Sequence, residues 1–462
     1  MSVSNVTSFQ AFRILMESEG VPELAIRNFA YYYQQLQAGQ QGFIHEEEIQ
    51  PVQELPRMED LPDSLESLGK QALPHTLFLK LNGGLGTSMG LEKAKSLLRV
   101  KEGKSFLDII AQHALRSGTP LALMNSFRTR EDTLNALKAY PALQSELPLD
   151  FLQHKAPKVR RSDLQPVTWE KEPSLCWYPP GHGDIFIALV TSGMLEKLLD
   201  AGVRYAFISN SDNLGASIHP GILGYLIKNE MPFLMEVTQR TEVDKKGGHL
   251  ALDKEGKLLL REKAQCPEED APHFEDILKH QFFNTNNLWL DFAALKRLLE
   301  ERDGIVGLPL IRNQKTVDAR DAQSTPVYQL ETAMGSALEI FDGAGALSVP
   351  RSRFLPVKTT DHLLAIRSDL YQIDTKSRVN LRSDRELPLP DISLDSKYYG
   401  FFDQLEHLIP SPLSLLRCES LQISGPFSFG QGVEVVGHVQ LVNPSDSPIH
   451  ISDGTVLRED IK

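Results

Sequence analysis

A glycine-rich loop behind an apolar run constrains the fold of this chain more than any other feature. The run TLFLKL at residues 76–81 is typical of a buried β-strand, and three glycines follow within residues 83–86. A loop with so few side chains can turn sharply and bring several backbone N–H groups onto one anionic group. Lys93 and Lys95 can add positive charge to the same place. The segment predicts a strand, a phosphate-binding loop and a helix that begins in SLLRV at residues 96–100.

The spacing of the glycines excludes two well-known nucleotide-binding loops. A Walker A loop reads G-x-x-x-x-G-K-[ST], and no glycine pair here has that spacing before Lys-Ser or Lys-Thr. The dinucleotide-binding motif reads G-x-G-x-x-G, whereas Gly84, Gly86 and Gly90 read G-x-G-x-x-x-G. Taken alone, such a loop is more often an ordinary turn between a strand and a helix. Other motifs of the chain are therefore needed to distinguish a phosphate-binding loop from an ordinary turn.

Length and net charge narrow the class of protein. A chain of 462 residues is too long for one core, so two or three domains are expected. The 61 acidic and 48 basic residues give a net charge of −13, which argues against nucleic acid or an anionic membrane as the main partner. An anionic substrate must therefore be bound by a local cluster of lysine and arginine side chains.

The sequence also indicates the compartment. No run of about 18 apolar residues, the length that would span a bilayer, is present. Residues 1–20 lack the basic start and apolar core of a secretory signal. Cys176, Cys266 and Cys418 are too widely spaced for a disulfide framework or a zinc site. We therefore expect a cytoplasmic protein.

Strand and helix patterns alternate through most of the chain. Apolar residues at helical spacing between residues 8 and 37 predict one or two amphipathic helices, and an acidic, proline-containing connector follows at residues 46–62. From residue 76 to about residue 373, β-rich runs alternate with helical ones, which predicts βαβ units around a mainly parallel sheet and an α/β fold. We assign residues 1–72 to an N-terminal helical segment and residues 73–373 to the domain with the glycine-rich loop.

The composition and the pattern of apolar residues change after residue 374. A polar, proline-bearing stretch at residues 377–396 leads into residues 413–443 and 449–457, where apolar and small polar residues alternate with frequent glycine. This pattern predicts short β-strands stacked in coils over residues 374–462, as in a fragment of a β-helix. Two or three coils cannot bury a core alone, so they should pack on the preceding domain or on another subunit.

Several longer motifs carry a resemblance to a known family. LNGGLGTSMG at residues 81–90, followed by AKS, resembles the nucleotide-binding loop of the eukaryotic-type UTP–glucose-1-phosphate uridylyltransferases, also called UDP-glucose pyrophosphorylases. The resemblance continues in order through LMNSF, WYPPGHGD, ISNSDNLGA, EVTQRTEVDKKGG, FNTNNLW, QLETAMG and VPRSRFLPVKTTDHLL. It implies a Rossmann-like nucleotidyltransferase core with a mainly parallel mixed sheet, and a small left-handed β-helix at the C-terminus.

The resemblance implies a reaction as well as a fold. Members of the family transfer the uridylyl group of UTP to glucose 1-phosphate, in a reversible, Mg²⁺-dependent reaction that gives UDP-glucose and pyrophosphate. Such a transfer requires little covalent chemistry, because the site has to align two polyanions and neutralise charge on their phosphate oxygens. A backbone loop, one or two lysines and a carboxylate that holds Mg²⁺ would be sufficient. The C-terminal coils would offer a surface for self-association.

The UTP-binding loop of the family matches four consecutive residues here, Leu81, Asn82, Gly83 and Gly84. Lys95 matches the lysine of that loop that contacts the phosphates. Many relatives have PKS where this chain has AKS, and the loss of the proline relaxes the backbone while the lysine and serine remain. We therefore expect Lys95 to contact phosphate. Lys93 has no matched role and is expected to be a surface charge.

The motif SNSDN follows the apolar run RYAFI. Ligands bind beyond the carboxyl ends of strands in open α/β sheets. The resemblance makes Asp212 the Mg²⁺ ligand and Asn210 a contact of the sugar phosphate, with Ser211 between them where the family usually has isoleucine. One aspartate is sufficient, because Mg²⁺ takes only one or two carboxylates besides phosphate oxygens and water. Taken alone, an aspartate before an asparagine is more often a turn former.

Three further motifs supply the predicted contacts of the base and the sugar. Gln153 matches the glutamine that reads the uracil edge, a role that suits an amide because it has both a donor and an acceptor. Gly181 would lie at the uracil and His182 at the hexosyl phosphate, as a hydrogen-bond donor and not as a general base. Asn286 matches a glucose contact, although the other asparagines of FNTNNLW are close enough for this assignment to shift.

The motif RFLPVKTT supplies the second lysine. Lys358 matches the second catalytic lysine of the family, so Lys95 and Lys358 are the predicted catalytic residues. Lys358 would reach the α-phosphate or the departing pyrophosphate, and a point charge suits charge that moves during transfer better than the fixed fork of arginine. Arg351 and Arg353, nearby, are expected to form structural ion pairs.

Two alternatives stay open at the level of sequence. A broader-specificity UDP-sugar or UDP-N-acetylhexosamine pyrophosphorylase would share the fold, although the hexosamine branch has arginine after the glycines where this chain has Ser88 and Met89. A catalytically silent homologue that acts as a binding protein is disfavoured, because Lys95, Asp212 and Lys358 are all present.

Overall fold

A computed structural model of the chain describes residues 3–461. The α-helices in this range are α1 (Val3–Ser18), α2 (Glu23–Gln37), α3 (Asp63–Ala72), α4 (Phe106–Ser117), α5 (Arg130–Leu137), α6 (Ile185–Thr191), α7 (Met194–Asp200), α8 (Pro220–Lys228), α9 (Ala271–Phe274), α10 (Phe292–Glu301), α11 (Thr360–Arg367), α12 (Ser396–Tyr399) and α13 (Phe402–Leu408). In the same range, no helix is both long and apolar enough to cross a membrane.

The strands of the same range are β1 (Gln50–Pro51), β2 (Thr76–Asn82), β3 (Arg99–Lys101), β4 (Lys104–Ser105), β5 (Leu121–Asn125), β6 (Asp150–Leu152), β7 (Ala156–Pro157), β8 (Val159–Arg160), β9 (Trp177–Tyr178), β10 (Tyr205–Asn210), β11 (Phe233–Gln239), β12 (His249–Leu252), β13 (Leu258–Arg261), β14 (Phe282–Asp291), β15 (Ile311–Thr316), β16 (Pro326–Glu331), β17 (Gly345–Ser348), β18 (Tyr371–Ile373), β19 (Val379–Leu381), β20 (Asp391–Leu394), β21 (Ser414–Ser424), β22 (Phe427–Phe429), β23 (Glu434–Val442), β24 (Ile449–Ile451) and β25 (Val456–Leu457).

A ten-stranded mixed sheet forms the centre of the molecule. Its main order is β1-β12-β14-β10-β2-β5-β6, with β13 paired to β12 and with β11 and then β17 extending from β14. Strands β10, β2, β5 and β6 run parallel to one another. Strand β14 runs antiparallel to β10, β11 and β12.

The sheet is mixed, as expected, but the prediction that it is mainly parallel is wrong for the half built on β14. Four strand pairs are parallel and five are antiparallel. Between β11 and β14 the chain forms the hairpin β12–β13 and the four-residue helix α9. It therefore lacks the long crossover helix that a parallel return requires.

The parallel strands are covered on both faces because they are apolar at nearly every position. On one face, Leu77 and Leu79 of β2 share a core with α6, α7 and α10. On the other face, Phe78 shares a core with α4 and α8. The strand predictions around residues 76–81 and 204–210 are thus confirmed by β2 and β10, and the site has a rigid base.

The glycine-rich segment does not continue into a helix, so that prediction is wrong. Gly86 and Gly90 have φ angles of 67° and 73°, and residues 87–89 and 95–97 form only 3-10 turns. The chain then forms β3, and helix α4 begins only after Ser105, whose hydroxyl accepts from the N–H of Asp108 at 3.1 Å. This capping box fixes the start of the helix beyond the loop.

The two ends of the chain pack as the sequence predicts. Helices α1 and α2 confirm the helices expected between residues 8 and 37, and they pack through Phe12, Phe29 and Tyr33. At the C-terminal end, β20, β21, β23 and β25 pair in parallel, as do β22 and β24, which confirms the predicted strands. Parallel pairing agrees with strands stacked in coils, and the β-helix itself stays a prediction. Their apolar core includes Met89 and Leu98, so the coils pack on the preceding part of the chain. The domain limits near residues 73 and 374 stay a prediction.

Candidate active site

The carboxyl ends of β2 and β10 bring two of the predicted motifs together. Asn210 lies in register with Leu81, and the N–H of Ser211 donates to the Leu81 carbonyl at 3.1 Å. On the other side of β2, Asn82 lies in register with Asn125 of β5. The glycine-rich loop and the SNSDN motif thus meet at one edge of the sheet, where open α/β sheets bind ligands.

The side chain of Asn82 supports the loop from beneath. It is 1% exposed, and its Nδ2 donates to Asn125 Oδ1 at 2.7 Å and to Thr133 Oγ1 at 2.9 Å. The Ser126 hydroxyl donates to the carbonyl of Gly83 at 3.0 Å. These bonds fix the backbone of the loop, so a ligand would contact Asn82 through its main chain.

An ion pair joins the glycine-rich loop to the SNSDN motif. Lys95 Nζ lies 2.9 Å from Asp212 Oδ2, and the two side chains are 13% and 21% exposed. The N–H of Lys95 also donates to the carbonyl of Gly84 at 3.1 Å, which closes the loop. Gly86 has a φ of 67°, and a Cβ there would lie 2.9 Å from Leu91 Cδ1 and 3.1 Å from Lys95 Cγ, so this position favours glycine. By contrast, Lys93 is exposed, as expected of a surface charge.

Lys358 lies directly beyond Asp212. The N–H of Val357 donates to the Asp212 carbonyl at 3.1 Å, and the N–H of Lys358 donates to His362 Nδ1 at 3.2 Å. The Lys358 side chain is exposed. Burial raises the pKa of the Glu262 carboxyl, and the charge of Lys358 opposes that rise. Lys358 therefore stands at the edge of the same site, next to a half-buried carboxyl.

His182 is held as a hydrogen-bond donor. Its Nδ1 accepts from the N–H of Met334 at 2.9 Å, so the proton of the neutral ring lies on Nε2. Burial lowers the pKa of His182 to about 4, which keeps the ring neutral near pH 7. Gly181, with a φ of 82°, allows the close approach, because a Cβ there would lie 2.5 Å from the Thr332 carbonyl oxygen. This geometry agrees with the donor role predicted for His182.

Asn286 lies in a bulge of β14. The register shifts between Glu236 and Val237 opposite it, and Asn286 has a φ of 56°, a left-handed conformation that asparagine tolerates. Its N–H donates to Asn284 Oδ1 at 2.9 Å. A Cβ on Gly335 would lie 3.0 Å from Asn284 Nδ2, and Gly335 follows the residue that donates to His182. The bulge and the His182 loop therefore lie side by side.

A buried polar network supports the bulge and the SNSDN motif. Glu236 is 0% exposed and accepts from Arg353 Nε and Nη2, each at 2.7 Å, and from Trp289 Nε1 at 2.8 Å. Asn287 donates to Glu236 at 3.1 Å and accepts from Asn213 Nδ2 at 3.1 Å. Asn287 is thus structural, and the Arg353 ion pair is confirmed. Arg351 pairs with Asp244 at 2.5 Å, as expected.

Gln153 lies against the glycine-rich loop. Its N–H donates to the Asn125 carbonyl at 2.9 Å, and a Cβ on Gly83 would lie 2.9 Å from its Oε1. The structure therefore brings all the predicted site residues to one edge of the sheet. Their roles toward substrates stay predictions.

A buried lysine that is not among the predicted site residues lies beneath the site. Lys80 is 1% exposed, and its Nζ donates to Ser209 Oγ at 2.7 Å and to the Ala216 carbonyl at 3.2 Å. Burial lowers its pKa to about 7. It ties β2 to the turn that carries Asp212. The signal was available, because Lys80 is the one charged residue in the apolar run TLFLKL.

The donor set fits Mg²⁺ better than a metal held by protein alone. Within residues 3–461, no group of three or more His, Cys, Asp or Glu side chains could hold a metal ion. Asp212 is a single, partly exposed carboxylate at the strand end. That is the donor pattern expected for Mg²⁺, which keeps phosphate oxygens and water as its other ligands.

A site of this kind, with a backbone loop and two lysines at the end of parallel strands, is typical of enzymes that transfer a nucleotidyl group between phosphates. The family model described as UTP–glucose-1-phosphate uridylyltransferase matches residues 26–435. The chain belongs to this family.

Relatives and solved structures agree with this assignment. The UTP–glucose-1-phosphate uridylyltransferase of Musa acuminata is 40% identical over 407 residues, which cover 87% of this chain and 85% of the relative. That of Saccharomyces cerevisiae is 41% identical over 406 residues, 86% and 78% of the two chains. A mutant UDP-glucose pyrophosphorylase from Leishmania major, solved in complex with UDP-glucose, matches with a TM-score of 0.89 and 41% identity over 99% and 98% of the two chains.

Proposed function

We propose that this chain transfers the uridylyl group of UTP to glucose 1-phosphate and so forms UDP-glucose and pyrophosphate. The observation that carries the proposal is the ion pair between Lys95 and Asp212, at 2.9 Å, in a chain of the UTP–glucose-1-phosphate uridylyltransferase family. The pair places a cation from the glycine-rich loop and a carboxylate from the end of β10 at one point. Both are needed where two polyanions react.

In the proposed reaction, a phosphate oxygen of glucose 1-phosphate attacks the α-phosphorus of UTP. The bond from the α-phosphorus to the oxygen that bridges to the β-phosphate breaks, and pyrophosphate leaves with the bonding electron pair. Lys95, which is paired with the Asp212 carboxylate, and Lys358, which follows the residue bonded to the Asp212 carbonyl, neutralise the charge that develops on the phosphate oxygens. No covalent intermediate with the protein is required.

The remaining predicted residues bind and orient the two substrates. The backbone N–H groups of Gly83 and Gly84 bind phosphate, and the Gln153 amide beside them pairs with the uracil edge. The Nε2–H of His182 donates to the hexosyl phosphate, because its Nδ1 is already occupied. Asn286 binds glucose hydroxyl groups from the bulge of β14.

Mg²⁺ would be held by Asp212 together with substrate phosphate oxygens, with Asn210 and Ser211 on the same turn, and would supply further neutralisation of phosphate charge. Before substrates bind, Lys95 holds the Asp212 carboxylate at the strand end. The half-buried position of this carboxylate limits its movement, so the ligand is oriented in advance.

Pyrophosphate release from UTP tests this function. The purified chain is assayed with glucose 1-phosphate, galactose 1-phosphate and N-acetylglucosamine 1-phosphate, with Mg²⁺ and after chelation. We expect the largest kcat/KM with glucose 1-phosphate and little turnover without Mg²⁺. A preference for N-acetylglucosamine 1-phosphate would favour the hexosamine enzyme instead. UTP binding without turnover of any sugar phosphate would favour a silent binding protein.

We also propose a cytoplasmic location, left-handed winding of the C-terminal coils and self-association through them. Three free cysteines support a reducing compartment, and exposed Ile449 and Val456 on the coils support a contact surface. Light scattering tests the last point. Ile449→Glu should lower the measured mass if the coils form the contact, and an unchanged mass would place the contact elsewhere or show a monomer.

A further inference from the structure

The buried carboxylate of Asp184 is hydrogen-bonded to His154, the residue that follows Gln153. Asp184, the last residue of WYPPGHGD, accepts the N–H of His154 on Oδ2 at 2.7 Å. The Nδ1 of His154 lies 2.8 Å from Asp184 Oδ1, and Nε2 lies 2.9 Å from the Thr191 hydroxyl on α6. Asp184 is 4% exposed. One carboxylate, one imidazole and one hydroxyl thus form a continuous chain of hydrogen bonds.

Burial of the Asp184 carboxylate costs free energy unless these hydrogen bonds form. Within residues 3–461, its only ion-pair partner is His154, which is charged only when protonated. A buried carboxylate without a permanent cation depends on hydrogen bonds for its stability. Both carboxylate oxygens of Asp184 are hydrogen-bonded to His154, one to its main-chain N–H and one to its ring. The carboxylate therefore fixes the main chain and the ring of His154 together.

The consequence for Gln153 follows from its neighbours. The N–H of Gln153 donates to Asn125 at 2.9 Å, and the next N–H, of His154, donates to Asp184. The backbone is therefore held on both sides of the Gln153 side chain, whose amide lies against Gly83. A rigid backbone limits the positions that the amide can take relative to a bound base.

We propose that Asp184 is a positioning residue for the recognition of uracil, acting through His154 on Gln153. This inference rests on the proposed function, in which Gln153 reads the base. Asp184 also belongs to the loop of His182, which would contact the hexosyl phosphate. The same carboxylate thus sets the separation between the base-reading amide and the phosphate-binding imidazole, and so aligns the uracil with the reacting phosphates.

The exchange Asp184→Asn tests the inference. An amide has one acceptor oxygen, so it can accept only one of the two bonds, and its NH₂ group faces an N–H donor. Loss of one such bond should lower the ratio of kcat/KM for UTP over CTP by about 10-fold, mainly through the KM of UTP. Asp184→Glu keeps both acceptor oxygens and should restore part of the ratio.

Two further variants keep the test decisive. Thr191→Val removes the hydrogen bond between the Thr191 hydroxyl and His154 Nε2, together with the bond from that hydroxyl to the Ile187 carbonyl, and keeps both bonds of Asp184. It should shift the ratio in the same direction, by about 3-fold. Asp369→Asn is the matched control, because Asp369 is likewise a carboxylate that accepts backbone N–H groups, here of Leu415 and Leu416, but it lies between α11 and β18 and contacts the start of β21. It should leave the UTP preference unchanged. Thermal unfolding of each variant reports whether the fold is retained.

The outcomes separate the inference from the function on which it rests. If Gln153→Ala leaves the UTP preference unchanged, the role of Gln153 is wrong and the inference fails with it. If Gln153→Ala lowers the preference while folded Asp184→Asn does not, Asp184 is not a positioning residue. Should Asp184→Asn fail to fold, an unchanged ratio in Thr191→Val overturns the inference.

Discussion

Replacement of Lys358 by alanine should impair catalysis without affecting the fold. The Lys358 side chain is exposed, while the main chain that carries it is fixed by the bond from Val357 to the Asp212 carbonyl at 3.1 Å. Removing an exposed side chain typically changes the free energy of unfolding by less than about 0.5 kcal/mol. The backbone bonds remain, so the thermal midpoint should stay close to that of the unchanged chain.

The catalytic effect should be much larger. A preorganised charge beside the reacting phosphorus is typically worth on the order of 3 kcal/mol, or ~100-fold in kcat, because its attraction strengthens as charge develops. The KM for glucose 1-phosphate should change less. Lys358→Arg keeps the positive charge but should recover only part of the loss, because the guanidinium is longer and planar. Lys93→Ala is the control, because Lys93 is an exposed lysine of the glycine-rich loop with no predicted role. Steady-state kinetics of folded Lys358→Ala with kcat within about threefold of the unchanged chain would refute the assignment.

Three further predictions follow from single side chains. Asp212→Asn should keep the fold but lose most activity, and full turnover at saturating Mg²⁺ would exclude it as the metal ligand. Glu236→Gln should destabilise the fold by about 3–5 kcal/mol in urea unfolding, because it breaks a buried pair with Arg353, and a change below about 1 kcal/mol would contradict this. Burial raises the pKa of Glu339 to about 7, above its unfolded value. The folded state therefore loses stability as the pH rises to 7, because the buried carboxyl must then ionise. Glu339→Gln should therefore raise the free energy of unfolding by on the order of 1–3 kcal/mol at pH 8 and much less at pH 5, and an equal change at both pH values would contradict the shift.

Local patterns of sequence were sufficient for the elements that build the site. Strands β2 and β10 were predictable because their apolar runs end in loops with distinct chemistry, and parallel strands bring such loops to one edge. Lys95 and Asp212 were assigned to one site by the family resemblance, and the ion pair between them agrees with that assignment. The donor role of His182 came from family resemblance, and the bond from Met334 supplies its physical reason.

Other features depend on pairings between distant residues, and no local pattern encodes those. The direction of β14 follows from the hairpin that precedes it, and the bulge at Asn286 follows from a register shift against Glu236. The bond between His154 and Asp184 joins the residue after Gln153 to the motif WYPPGHGD, and neither stretch of sequence indicates the other as its partner. A structural role for Lys80 could have been predicted from the sequence, because a charged residue inside a buried strand must have hydrogen-bond acceptors.

The glycine-rich loop shares an apolar core with the C-terminal coils, and this limits how independent the two parts are. Met89, 1% exposed, packs in the same cluster as Tyr399 and Leu415. A Cβ on Gly90 would lie 3.1 Å from the Phe401 ring, so the loop touches the chain that leads to the coils. Burial of a methionine side chain typically contributes about 1.5–3 kcal/mol, which offsets the backbone entropy lost on ordering about one or two residues of the loop. Residues outside the glycine-rich loop therefore help to fix its backbone, and the C-terminal coils act on the candidate site through packing.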